Sequence, residues 1–166
     1  DQVFPKRCGH MEGKKVIDPD SMVEKIRSAT AARKNPNTMI IARTDAIAVT
    51  GLPDAINRMK AYEAAGADII FPDAPTSLKD METIRKAIHA PLIANMSEHG
   101  KTPLLSKDEI NSLGFNIALY PSSTLFAAAQ SAHEIAQILK ENGTTRAHLD
   151  QLMEFGKLNE DVLGLS

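Results

Sequence analysis

The chain has 166 residues and a formal net charge of −2, and 43% of its residues are apolar, enough for the core of one ordinary domain. No basic block offers a nucleic-acid backbone a grip, and no apolar run approaches the ~20 residues of a membrane span. The lone cysteine excludes an intrachain disulfide framework or zinc held by several cysteines, and it fits a reducing, cytoplasmic setting.

The first segment with chemical character is Lys6-Arg7-Cys8-Gly9-His10. Fixed positive charge beside a thiol stabilises its thiolate, which makes Cys8 a candidate proton donor or nucleophile; the alternative is a thiol with no role. Asp18-Pro19-Asp20-Ser21 opens a predicted helix, with Ser21 and Glu24 at capping-box spacing and Met22, Ile26 and Ala29 on one stripe. Thr38–Ala42 is a short apolar run ending in Arg43-Thr44-Asp45. Pro53 opens the next helix, which Gly66 stops. Asp68–Phe71 is the second apolar run, ending in Pro72-Asp73, and a helix over Leu78–Ile88 follows. Pro91–Ala94 is the third run, ending in Asn95-Met96-Ser97. Ser106 and Glu109 form a second capping-box pattern, with Gly114 as the stop. Phe115–Leu119 is the fourth run, ending in Tyr120-Pro121, and an alanine-rich helix spans about Thr124 to Asn142.

Four apolar strands alternating with helices describe α/β architecture with parallel strands buried on both faces. No glycine-rich phosphate loop follows a strand, which disfavours a dinucleotide-binding sheet. Each strand instead ends in polar groups, as in a (β/α)8 barrel whose active site gathers at the C-terminal ends of its strands. Four strands are half of such a barrel. The chain, beginning at Asp1 without a cap or strand of its own, is expected to be the last four βα units, with the remaining strands upstream. In this reading residues 1–166 are the C-terminal portion of one barrel domain. Residues 1–17 are a loop, and 144–166 are a C-terminal helical segment.

Asp1-Gln2 with Lys6–His10, Ala42-Arg43-Thr44-Asp45-Ala46, Phe71-Pro72-Asp73, Asn95 and Leu119-Tyr120-Pro121 follow one another in an order that resembles the isocitrate lyase and phosphoenolpyruvate mutase superfamily, across nearly the whole chain. The resemblance implies a (β/α)8 barrel that uses Mg2+ or Mn2+ and binds a short hydroxy or keto dicarboxylate. It also implies a homo-oligomer, a tetramer in which a helix after the last strand is exchanged between subunits. The family's metal-holding aspartates lie upstream of Asp1, so no metal ligand is expected in this chain, except Asp73 acting through water.

The resemblance also makes residues 1–17 a catalytic gating loop and implies residue roles. Cys8 is the proton donor of the lyase branch, Gly9 lets its loop approach the ligand, and His10 supports the loop or donates a hydrogen bond. Arg43 forks onto a substrate carboxylate, or alternatively forms a structural salt bridge to Asp45. Asp73 stands where lyases carry a glutamate. Asn95, Ser97 and Pro121 complete the expected substrate site. Relatives that cleave 2-methylisocitrate carry two further carboxylate-binding arginines, and the same register puts Phe126 and Phe155 at those places. A phenylalanine cannot neutralise a carboxylate. The implied activity is therefore cleavage of a 2-alkylmalate, such as dimethylmalate, to a 2-keto acid and a monocarboxylate. A 2-methylisocitrate lyase, an oxaloacetate-cleaving enzyme, a phosphonomutase and a non-catalytic paralogue remain open alternatives.

Overall fold

Asp18 and Pro19 start the first helix, α1 (Pro19–Ala32), in the computed structural model, which describes residues 1–9 and 11–165. The Asp18 side chain accepts from the Ser21 N–H, and proline at the helix start supplies a helical φ without losing a bond. The expected Ser21–Glu24 capping box is therefore not formed; the N-terminus is capped one turn earlier, and Glu24 accepts from Arg27 instead. The Ser106–Glu109 box is present in full at the head of α4 (Lys107–Ser112).

The strands are β1 (Ile41–Thr44), β2 (Ile69–Pro72), β3 (Ile93–Asn95) and β4 (Ile117–Leu119), and the helices between them are α2 (Leu52–Ala64), α3 (Leu78–Ala87) and α4. Each strand begins one to three residues later than its apolar run. Arg43, Pro72 and Asn95 consequently belong to the ladder rather than to the loop after it. β1 pairs with β2 and β3 with β4, both parallel. A single parallel bridge, Ile70 to Leu92, joins the two pairs, with the Ile70 N–H donating to the Pro91 carbonyl at 2.9 Å.

Alternation along the strands sorts the side chains onto two faces. Ala42, Ile70 and Ala94 join the main core with Ile26, Met59, Tyr62, Met81 and Ile84 of the helices. Ile69, Phe71 and Ile93 form a smaller cluster on the other face. Residues one place removed from the main-core positions fall on that second face, which places Arg43 and Asn95 there and carries Asp45 and Asp73 to its end. Burial on both faces holds for β2 and β3 and fails for β4, whose three residues are all exposed, and for Ile41 of β1. A parallel strand is enclosed only when it has neighbours on both edges and layers on both faces.

Residues Asp1–Ser122 make one compact unit and Ser123–Ser166 a second. The second opens with α5 (Ser123–Asn142), ended by Gly143 at φ 68°, the left-handed position that glycine takes without a steric penalty. The segment beyond is not one continuous helix: it comprises a 3-10 stretch (Arg146–Gln151), a single turn α6 (Phe155–Lys157) and a π turn (Leu158–Val162). Among the described residues, no helix is long and apolar enough to cross a membrane.

Candidate active site

The loop that carries Cys8 is pinned at its base. Gln2 and Val16 form an antiparallel bridge, the Val3 N–H donates to the Lys15 carbonyl, and the Ile17 N–H donates to that of Asp1. The Gln2 side chain braces the interior of the loop by bonding both the N–H and the carbonyl of Arg7 at 2.9 Å. Cys8 is exposed at the far end, while Gly9 beside it is buried against the strand ends. A Cβ built on Gly9 would lie 1.8 Å from Asp73 Oδ2 and 2.7 Å from Arg43 Nη2, so only a glycine backbone can come this near.

Beneath Gly9, the Arg43 guanidinium donates from Nε to Asp45 Oδ2 at 2.9 Å and from Nη2 to Asp45 Oδ1 at 3.1 Å. Nη2 also stands 3.0 Å from Asp73 Oδ2, and the group lies over the Phe71 ring at 5.0 Å. Phe71 is the ladder partner of Arg43, so strand register creates this stack. Asn95 Nδ2 donates to Asp73 Oδ1 at 3.2 Å. Lys14, whose side chain is 3% exposed, donates from Nζ to the Gly9 carbonyl and lies 3.3 Å from Asp45 Oδ1. Two buried carboxylates are thus matched by two cations.

The two carboxylates are tuned in opposite directions. Burial disfavours charge on Asp45, but the Arg43 hydrogen bonds and charge outweigh it and hold Asp45 below the ordinary carboxylate value. Burial dominates at Asp73 and holds it above that value, with Arg43 opposing and the Asp45 charge adding. Burial also disfavours charge on Arg43, which Asp45, Asp73 and the neighbouring Cys8 restore.

Behind the site, the Asp1 carboxylate is buried and takes bonds from Thr44 Oγ1 (2.7 Å), the Asp45 N–H (3.0 Å) and the Tyr62 hydroxyl (2.8 Å). It fixes the end of β1 and, with it, the Arg43–Asp45 fork. Of the expected site residues, Gly9, Arg43, Asp73 and Asn95 form one contiguous group, with Cys8 next to it. Ser97 is buried two residues beyond Asn95, and Pro121 lies exposed in the bend after β4. His10 lies outside the described residues. Sequence reasoning assigned no role to Asp1, Lys14, Phe71 or Tyr62. Asp1 was marked only by its place beside Gln2, and nothing in the spacing of Lys14 announces a buried ammonium.

The fit to a divalent metal can be judged from the donors. Among the described residues there is no group of three or more His, Cys, Asp or Glu side chains placed to hold one. Asp45 and Asp73 are already neutralised by Arg43 and Lys14. These residues do not by themselves make a Mg2+ site.

The family model described as phosphoenolpyruvate phosphomutase matches residues 5–140. The chain is 41% identical over 165 residues to 2,3-dimethylmalate lyase of Eubacterium barkeri, covering 99% of this chain and 57% of that protein. It is 47% identical over 161 residues to a probable 2-methylisocitrate lyase of Corynebacterium glutamicum, covering 96% of this chain and 53% of that protein. Among solved structures, a 2,3-dimethylmalate lyase described as a PEP mutase/isocitrate lyase superfamily member superposes with a TM-score of 0.86 at 36% identity, covering 96% of this chain and 54% of that one. The chain spans about half the length of the relatives it matches.

Proposed function

Because the chain belongs to the phosphoenolpyruvate phosphomutase and isocitrate lyase superfamily, we propose that it supplies half of a (β/α)8 barrel whose reaction is cleavage of a carbon–carbon bond in a 2-alkylmalate, yielding a 2-keto acid such as pyruvate and a monocarboxylate. The observation that carries this reading is the Cys8–Gly9 loop seated on the pair of half-buried Arg43 and buried Asp73. It brings the chain's only thiol to a guanidinium at the ends of parallel strands.

In this mechanism the substrate loses its hydroxyl proton to a base, and the C2–C3 bond breaks. The electron pair of that bond stays on the departing fragment as an enediolate, while the other fragment leaves as the 2-keto acid. Arg43 and Asn95 hold the enediolate oxygens, and the Cys8 thiol delivers a proton to carbon, leaving a thiolate that is reprotonated from water. Since Gly9 covers Arg43 and Asp73, the substrate enters when the loop lifts and reacts when it returns. The Mg2+ or Mn2+ ion implied by the family resemblance would be held by residues outside this chain. The active assembly is a homotetramer that exchanges its C-terminal helical segment, in the cytoplasm, where a single reduced cysteine persists.

The alkylmalate reading rests on Phe126 and Phe155, which the register puts where methylisocitrate-cleaving relatives carry arginine. Cleavage of 2-methylisocitrate is the second reading, favoured by the similarity to the Corynebacterium protein. Release of pyruvate by the intact protein with Mg2+, from 2,3-dimethylmalate and 2-methylisocitrate at equal concentration, decides between them; oxaloacetate cleavage is followed by release of oxalate. Turnover of dimethylmalate alone supports the first reading. Preference for methylisocitrate overturns it and leaves a lyase. No turnover of any of the three removes the lyase assignment.

A further inference from the structure

We propose that Lys14 is the latch that seats the Cys8 loop on the strand ends, and so a positioning residue for the proton donor; the catalytic half of this inference rests on the lyase reading above. The loop leaves the framework after Gln2 and returns at Val16, where the bridge between these residues fixes its base. A base alone does not fix the position of the other end. Lys14 lies next to the returning strand and reaches back with its full length, donating to the Gly9 carbonyl in the loop and pairing with Asp45 at the end of β1.

One ammonium therefore ties three places together: the base of the loop, its far end, and the strand that carries Arg43. Its surroundings make this tie strong. Lys14 and Asp45 have side chains 3% and 2% exposed, so bulk water competes poorly for either partner. Gly9 cannot supply the tie itself. Its Cα already touches Asp73 and Arg43, so no side chain of its own can grip the strands, and the tether must come from elsewhere. A charged donor to a backbone carbonyl holds the loop without adding bulk at the contact. Lys6 and Arg7 are exposed and cannot perform this task from where they stand.

The test uses the intact protein and two readouts. The first is tryptic cleavage after Arg7, which stands exposed two residues before the contact and is cut faster when the loop is released. Lys14→Met, which keeps length and removes charge, is expected to raise that rate on the order of tenfold, the size expected for losing charge-assisted hydrogen bonds. Lys14→Arg restores most of the protection. The second readout is kinetic: kcat falls on the order of tenfold in Lys14→Met, with KM changing less, because binding groups remain and the donor is displaced. Should Lys14→Met fail to fold, Lys14→Gln carries the test, keeping a donor for Gly9 but no charge for Asp45, with an intermediate cleavage rate expected. Cleavage after Arg7 at the parent rate in whichever variant folds overturns the latch. Faster cleavage in the variant, when the parent protein shows no lyase activity, supports the latch and removes only the lyase reading.

Discussion

Gly9 and Asp73 meet across the site so closely that a single methyl group would separate them: a Cβ on Gly9 would lie 1.8 Å from the Asp73 Oδ2 atom. The contact joins a loop to the end of a strand 64 positions along the chain, and it seats the residue next to Cys8 against Asp73 and Arg43. Gly9→Ala must lift the loop by more than an ångström. The expected outcome is a loss of about 10²-fold in kcat/KM, the scale of catalytic misplacement, with little change in thermal midpoint because the base of the loop is untouched. Steady-state kinetics and a melting curve on the same preparation check it; unchanged kinetics would contradict the contact.

In the proposed mechanism Cys8 delivers a proton and takes no part in holding the ligand. Cys8→Ser keeps size and replaces a thiol by a much weaker acid, so kcat should drop by about 10²- to 10⁴-fold. Affinity for oxalate, a small dicarboxylate that resembles the enediolate, should stay within about twofold by calorimetry. A serine variant with parent turnover would end the assignment.

Asp73 gives a pH signature of known sign. Burial holds its folded value above the ordinary 3.8, so the folded chain takes up its proton more readily than the unfolded chain does. Its contribution to stability is fully present below that ordinary value and is lost as pH rises through the raised folded one. Asp73→Asn removes the loss. The stability of the variant relative to the parent should therefore rise as pH increases above the ordinary value of 3.8, read from denaturant midpoints at each pH. A difference that is flat or falls with pH counts against the assignment.

The Tyr62 hydroxyl donates to the Asp1 carboxylate at 2.8 Å in a fully buried setting. Tyr62→Phe leaves that carboxylate with one donor fewer and should cost about 1–2 kcal/mol of stability. Since Asp1 also holds the Asp45 N–H, a modest fall in kcat should accompany it. Equilibrium unfolding checks the first part, and a variant as stable as the parent would show the bond to be worth little.

The alternation of apolar runs with capped helices was enough to give parallel βα units, because burial of both sheet faces and helix capping are local properties of composition and spacing. The same runs misplaced each strand by one to three residues. Arg43 and Asn95 look like loop residues by polarity, yet hydrogen-bond pairing with a neighbouring strand draws them into the ladder. The cap on α1 shows the same limit on a smaller scale. Ser21 and Glu24 have the right spacing, but Asp18 with Pro19 starts the helix first.

At the site, the sequence by itself determined which residue types were available: one thiol, a glycine beside it, and polar groups closing each apolar run. Resemblance in the order of those motifs supplied their expected roles. Only the tertiary structure decided who touches whom. Arg43 is shared between Asp45 and Asp73, Gly9 rests on that pair, and Lys14 is buried where its neighbours in sequence are exposed. The reason is physical: pattern along a chain reports the burial of apolar groups, which is periodic. The pairing of buried charges depends on which strand ends lie side by side, and that is fixed by contacts 30 or more positions apart, such as the 31 that separate Lys14 from Asp45.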